Sequence, residues 1–551
     1  MSQQDDPRLV RYPASLADEY RRAGLWGSRT IAEEFHHRAT LRANHPALEY
    51  GCTVYSYAEL DTRSDQFAAG ALELGLRPGD PVLLQVHNGP YPVIAWYGLL
   101  KAGLIPVCTL SLHRRHEISE ISRRTRAVAH LVDATGPAGG FDLVGFAHEQ
   151  AQGHPTLRYV LTIGAPAAAD STPVEHLGSH IPAEDARALV EQVQDAIADD
   201  DLAVFQLSGG TTGVPKVIPR LQAEYWYNAT SYADWLGWDG TERVAFVGPL
   251  MHNAGIICGL HGPHAAGATL VLGSPHDPIP TLLKDTGSTD IVLGGAAYDV
   301  TLDPSLAEAH ALRRVVLSGK KVPAPHFAAL ERLGVWAGQL FGMGEGLCLT
   351  TRRDAPRSVR ADTVGTPLSP LDEVRVYEPG TEDPVPDGQA GELCCRGPYT
   401  LRGYYDAAEH NRRAFTSDGF YRTGDLVVRQ DIEGHQCYSV EGRIKDLINR
   451  GGEKINAEEV EALLISHPDV TEAALVAVPD ARLGERACAF LVGTRHLTLP
   501  EVRDHLDALG VAKYKWPERL EWLSEMPKAN EVGKIDKKKL RALATAPIEA
   551  S

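Results

Sequence analysis

Tyr57–Gly75 reads YAELDTRSDQFAAGALELG; RPGDPVLLQV (Arg77–Val86), YPVIAWYGLLKAG (Tyr91–Gly103) and LIPVCTL (Leu104–Leu110) follow it. The first and third segments carry apolar residues at helical spacing and stop at a glycine. The second and fourth are short apolar runs bounded by turn residues, as buried strands are. Helix and strand in alternation predict βαβ units and a parallel sheet. Strand-like runs return at Val244–Val247, Ala268–Leu272, Ile291–Leu293 and Val315–Leu317. The fold class is therefore α/β.

From about Asp362 the pattern changes. GTPLSPLDEVRVYEPG, VPDGQAGELCCRG and GFYRTGDLVVRQDIEGHQCYSVEGR read as short antiparallel strands between Gly, Asp and Pro turns. After GRIKDLINRGGEKI, alternation resumes in a compact unit. There a helix is expected over Asn456–Ser466, with Asn456 as N-cap and Glu458 and Glu459 in the first turn, then a strand over Glu472–Val478. The expected division is a large N-terminal part, residues 1–444, with a β-rich subdomain over about 362–444. A small α+β domain, residues 445–551, follows a joint near Lys445.

Composition narrows the function classes. The chain has 551 residues, 43% hydrophobic and 23% charged, which is ordinary globular usage and excludes a disordered or fibrous protein. Its net charge of −18 argues against a nucleic-acid groove, which needs a basic surface. Any phosphate site must be built locally. The eight cysteines form no CxxC pair, so neither a disulfide framework nor a structural zinc site is expected. MSQQDDPRLVRYP lacks a signal-peptide pattern. No apolar run reaches the ~18 residues of a membrane span; Val93–Leu112 is broken by Lys101. A cytoplasmic protein without a membrane partner is expected.

Chemistry concentrates at Leu207–Pro219, LSGGTTGVPKVIP, after the strand-like LAVFQ. Ser208, Gly209, Gly210, Thr211, Thr212 and Lys216 supply a turn rich in backbone N–H groups, hydroxyls and one ammonium, which can wrap phosphate oxygens. It is not a Walker A loop, because Pro215 precedes Lys216 and Val217 follows it. A plain surface linker is the alternative for the loop taken alone.

SGGTTGVPK resembles the phosphate loop of the adenylate-forming superfamily of acyl-CoA synthetases, nonribosomal-peptide adenylation domains and firefly luciferase. Other segments of this chain match that family in order: LKAGLIP (Leu100–Pro106), FGMGEG (Phe341–Gly346), GELCCRGP, YRTGD (Tyr421–Asp425), GRIKDLINRGGEKI (Gly442–Ile455) and GKIDKK (Gly533–Lys538). Together they span nearly the whole chain. Taken singly, Lys534 would read as part of a solvated basic run, Glu345 as a helix-start acid and Asp425 as a turn residue.

The resemblance implies ATP and Mg²⁺, with Glu345 holding the metal. Ser208, Thr211 and Thr212 would hold the β- and γ-phosphates, with Gly209, Gly210 and Lys216 in the same loop. Asp425 would take both ribose hydroxyls and Arg443 would reach the ribose or phosphates. Phe341 and Ser318-Gly319-Lys320 would sandwich adenine, beside Leu340, Gly342 and Met343. Lys534, Thr212, Glu345 and His252 form the implied catalytic set, and Lys445 matches the hinge. Positive charge is what this chemistry needs, since one anion attacks another. No general base is needed for an acid already ionised at pH 7. The approach to Lys534, PKANEVGK, runs one residue longer than is usual in the family.

Within the superfamily the chain is most similar to stand-alone aryl-acid–AMP ligases of siderophore pathways, which act on 2,3-dihydroxybenzoate or salicylate. His252 and Asn253, in PLMHNAG, fall where that subgroup binds the acid, and Asn253 would bond the group ortho to the carboxylate. A structural His-Asn pair is the alternative. Cys258 stands where dihydroxybenzoate enzymes carry Ser, which removes the partner of a 3-hydroxyl; an unpaired buried polar group costs ~1–3 kcal/mol. Ala254 replaces an aromatic residue, and Cys348, Leu349 and Ser318-Gly319-Lys320 also depart from the pattern. These changes point to a larger or differently substituted ring, such as a substituted salicylate, a 3-hydroxyanthranilate or a hydroxy-heteroaryl acid. No GGxS-type carrier site appears late in the chain. The acyl group would therefore go to a separate aryl carrier protein, with free coenzyme A as the alternative acceptor. A catalytically silent binding protein of this fold is the third reading.

Overall fold

The computed structural model describes residues 6–135, 141–164, 170–208, 215–319, 322–444, 447–527 and 535–545. Two mixed, mainly parallel sheets make up the N-terminal part. One is seven-stranded, in the order Thr172–Pro173, Tyr159–Ile163, Ala129–Asp133, Pro81–Gln85, Ile105–Cys108, Leu202–Leu207, Val217–Leu221. All its neighbours are parallel except the last pair. The other is nine-stranded and contains Arg243–Phe246, Thr269–Leu272, Asp290–Gly294, Arg314–Ser318 and Trp336–Gly342, the strands read from the sequence with one addition.

Helices Tyr57–Leu74, Pro90–Lys101 and Gln222–Leu236 share one apolar core with both sheets, joining Val82 and Leu84 to Val244, Leu270 and Val316. The first begins at a Ser56–Glu59 capping box and ends at Gly75, whose φ of 111° no side chain tolerates well. The second is buried on every side, which explains its unbroken apolar run. Its Lys101 is compensated by Asp61 and Asp65, each 2.6 Å away.

The segment after Asp362 forms an antiparallel sheet of Glu373–Tyr377, Ala390–Arg396, Tyr421–Ile432 and His435–Arg443. Sheet membership changes between Arg443 and Leu447. Leu447–Arg450, Glu453–Asn456, Val470–Asp480, Gly484–Gly493 and Arg519–Trp522 form a separate five-stranded sheet with its own core. The expected helix is found at Ala457–Ile465 and the expected strand lies inside Val470–Asp480. Lys445 lies outside the described residues. Among those described, no helix is long and apolar enough to cross a membrane.

Candidate active site

Strands Leu202–Leu207 and Val217–Leu221 run antiparallel and carry the Gly/Thr-rich loop between their ends. The Ser208 amide donates to Lys216 O over 2.9 Å, and the Lys216 amide donates to Ser208 Oγ over 3.1 Å. These bonds close the base of the loop. Gly209, Gly210, Thr211 and Thr212 lie outside the described residues. The Lys216 side chain turns inward, its ammonium 4.8 Å from the centre of the Tyr404 ring.

Tyr404 links that lysine to Glu345. Its hydroxyl donates to Glu345 Oε1 over 2.7 Å and, having given its only proton, accepts from Tyr421 Oη over 2.7 Å. Burial, reinforced by the Glu345 charge, raises the Tyr404 phenol far above its usual range, so it remains a donor. Tyr421 opens the strand that carries Asp425, and it feels the charges of both Glu345 and Asp425. Arg220 fastens this region from beneath. Its guanidinium donates to Gly344 O at 2.8 Å and Tyr399 O at 3.2 Å, and forks onto Glu224 at 2.9 and 2.7 Å. Gly346, at φ 135°, lets the chain turn directly after Glu345; a Cβ there would lie 2.0 Å from Tyr399 O.

The expected nucleotide edge is formed by adjacent strand ends, with Ser318 paired in register to Leu340. Gly319 has a φ of 98°, and its carbonyl accepts from Asn449 Nδ2 over 2.9 Å. Leu340 and Met343 are buried, Phe341 is half-buried and Gly342 is exposed. Asp425 is buried, and its amide donates to Thr423 Oγ1 over 3.0 Å. It faces Arg443 across the sheet register. The side chain of Arg443, and Lys320 and Lys534 entirely, lie outside the described residues.

The expected acid pocket is built on the segment after Arg243–Phe246. Asn88 pins it: its amide donates to Gly248 O and Gly273 O, each at 2.8 Å, and accepts from the Leu250 amide. Gly255 opens a π-helix, Gly255–His261; a Cβ there would meet Leu250 O at 2.3 Å. Asn253 Oδ1 accepts from Tyr225 Oη over 3.0 Å, and Asn253 Nδ2 lies 3.4 Å from Met343 O. Tyr225 in turn accepts from Gln206 Nε2 over 3.0 Å. The carboxamide is thus oriented, with Nδ2 retaining a second hydrogen to offer. His252 is exposed and Ala254 half-buried. Cys258 and Cys348 are buried; burial pushes the Cys258 thiol up to about 12 and Cys348 well above its usual range. Both thiols are therefore neutral and not nucleophiles.

The hairpin of Leu447–Arg450 and Glu453–Asn456 approaches from the C-terminal sheet. Its Gly451-Gly452 turn carries Glu453 to a cavity of about 40 Å³ shared with Val86, Thr109, Leu110, Pro249 and Met251, next to His252. Sequence reading missed Tyr225, Arg220, Tyr404, Tyr421 and Asn88. Arg220 and Glu224 stand four apart at a strand–helix junction, a visible pairing signal. The others act across long sequence separations and leave none.

The described residues offer an inward-turned lysine at the closed base of the Gly/Thr-rich loop, a carboxylate braced by phenols and an oriented amide. The family model "AMP-binding enzyme" matches residues 35–405, and "AMP-binding enzyme C-terminal domain" matches 459–534. The chain is 40% identical to a Streptomyces salicylyl-CoA synthase / salicylate adenylyltransferase, covering 97% of each. It is 37% identical to a Mycobacterium tuberculosis salicyl-AMP ligase / salicyl-S-ArCP synthetase, covering 98% of this chain and 96% of the other. The apo structure of Mycobacterium smegmatis MbtA superposes with a TM-score of 0.73 at 37% identity, covering 97% of this chain and 98% of that one. With matches of this extent over both parts, the chain belongs to the AMP-binding enzyme family.

Proposed function

We propose that the protein activates an aromatic carboxylic acid with ATP, releases pyrophosphate, and passes the aryl group to a pantetheine thiol. The observation that carries this reading is the oriented Asn253 amide, held between Tyr225 and Met343 O within reach of the Glu345 loop. That geometry suits an aryl acid with an ortho hydroxyl or amino group. The buried neutral thiols Cys258 and Cys348 and the small Ala254 suit a ring larger than, or substituted differently from, salicylate.

In the first step a carboxylate oxygen attacks the α-phosphorus. The new O–P bond forms as the bond to the β-phosphate oxygen breaks. Ser208, Thr211, Thr212 and Lys216 hold the departing phosphates, and Lys534 screens the approach of the two anions. Asp425 and Arg443 hold the ribose. Adenine lies between Phe341 and Ser318-Gly319-Lys320. Mg²⁺ fits Glu345, a single carboxylate with phenolic neighbours, because this ion takes one or two carboxylates and fills its remaining positions with water and phosphate oxygens. When bound it neutralises phosphate charge.

In the second step the thiol sulfur attacks the acyl carbon. The C–S bond forms, the C–O bond to AMP breaks, and the thiol proton passes to solvent. The division is residues 1–444 and 445–551 with Lys445 as hinge, so that Lys534 and the Gly451–Lys454 turn serve different steps. A separate aryl carrier protein supplies the thiol. Free coenzyme A is the second reading, favoured by the name of the Streptomyces relative.

Pyrophosphate exchange across a panel of aryl acids tests the first step. Ortho-hydroxy or ortho-amino aryl acids should support exchange; ADP as product, or exchange with none of the acids, would refute the reading. Thioester assays with a holo carrier protein and with coenzyme A separate the acceptors.

A further inference from the structure

Helix Arg115–Thr125 belongs to the N-terminal part, and its Glu117 is fully buried. Glu117 Oε2 accepts the Arg114 amide over 2.9 Å, which caps its own helix. Glu117 Oε1 accepts from the Lys515 ammonium over 3.0 Å, across a sequence separation of 398 residues. The same ammonium donates to Glu459 Oε1 over 2.9 Å. Lys515 closes the short turn Lys513–Lys515, and Glu459 lies in the first turn of helix Ala457–Ile465; both belong to the C-terminal unit. The side chains of Lys515 and Glu459 are 3% and 4% exposed.

The three groups are not equivalent. Lys515 and Glu459 travel together whatever the C-terminal unit does. Of these bonds only Lys515–Glu117 crosses between the two parts; His116 Nε2, which lies 3.3 Å from Glu459 Oε1, and the Asn449–Gly319 bond cross beside it. Each side also keeps a partner if that bond opens: Lys515 retains Glu459, and Glu117 retains the Arg114 amide. A buried ion pair adds little net stability, because desolvation offsets attraction, but it fixes geometry closely. The contact is therefore suited to choosing an orientation and to being undone. The orientation it accompanies places Glu453 at the cavity beside Met251 and Asn449 on Gly319 O.

We propose that the Glu117–Lys515 bridge docks the C-terminal unit in the orientation used for thiol transfer, which makes both positioning residues for that step and not for acyl-AMP formation. This rests on the two-step reading above.

Glu117→Gln is the discriminating variant. Glutamine can still accept the Arg114 amide, as it does in capping boxes, but carries no charge for Lys515. Losing a charge-assisted hydrogen bond predicts about a tenfold fall in single-turnover transfer from preformed acyl-AMP to the pantetheine thiol. Pyrophosphate exchange and melting temperature should match the wild type. Glu117→Asp, which keeps the charge, should recover part of the transfer rate. Hydrogen exchange of the unliganded protein reads docking without chemistry, and Glu117→Gln should speed exchange at Arg115–Thr125 and Lys513–Lys515. Unchanged transfer, an equal fall in both half-reactions, or unchanged exchange protection would overturn the proposal. A wild-type protein that forms no acyl-AMP would refute the two-step reading instead, and the exchange data would still decide whether the bridge docks the two parts.

Discussion

The hydroxyl of Tyr225 donates to Asn253 Oδ1 over 3.0 Å, so a helix residue 28 positions upstream sets the direction of the amide at the expected acid site. Asn253→Leu should cut kcat/KM on salicylate-like acids by about 10–100-fold, the loss of one to two good hydrogen bonds, while unsubstituted benzoate changes little. Tyr225→Phe should produce a smaller loss with the same selectivity. Equal losses on both substrates would assign Asn253 to packing. Steady-state kinetics on the two acids decides it.

Arg220 and Glu224 form a buried pair whose arginine also holds two carbonyls around Glu345. Arg220→Met leaves Glu224 buried without its counter-charge, and a loss of about 3–5 kcal/mol is expected. Arg220→Met/Glu224→Leu should recover much of the stability without restoring activity, since the Gly344 carbonyl still lacks its donor. Denaturant melts and pyrophosphate exchange measure the two effects separately.

Lys534→Ala should lower acyl-AMP formation by about 100-fold or more, as removal of a preorganised transition-state donor does. Binding of ATP should change far less. Normal exchange rates in this variant would remove Lys534 from the catalytic set.

Proline fixes φ and removes an N–H, so Lys445→Pro should freeze the joint. Acyl-AMP formation should persist while transfer to the thiol is lost. Melting temperature, pyrophosphate exchange and thioester formation measured on one preparation check it. A stable protein with both half-reactions intact would show that the hinge lies elsewhere.

The Asp372 carboxyl lies beneath the surface although the residue as a whole is partly exposed. Tyr399 Oη donates to its Oδ2 over 2.5 Å, and Oδ1 has no partner among the described residues. Burial raises its pKa from 3.8 to about 7. A carboxyl whose pKa rises on folding takes up a proton, so its ionisation destabilises the fold increasingly from about pH 4 to 7 and constantly above. Asp372→Asn preserves an acceptor for Tyr399. It should stabilise the protein by about 1–3 kcal/mol at pH 8 and hardly at all at pH 4.5. Thermal melts across that range test it; a pH-independent difference would show that the carboxyl is not the responsive group.

The sequence by itself determined the order of helices and strands through Tyr57–Leu110, because period and glycine stops are local properties. It also determined the family, because SGGTTGVPK, FGMGEG, YRTGD and the GRIKDLINRGGEKI stretch keep their order. What it could not express was which residues brace those motifs. Tyr404 reaches Glu345 across 59 positions, Tyr225 reaches Asn253 across 28, and Lys515 reaches Glu117 across 398. No periodicity encodes such pairs. They arise only when the folded chain brings distant segments together, where burial makes each polar group require a partner. The family motifs were legible in short local runs; the orientation of the side chains around them was decided by packing.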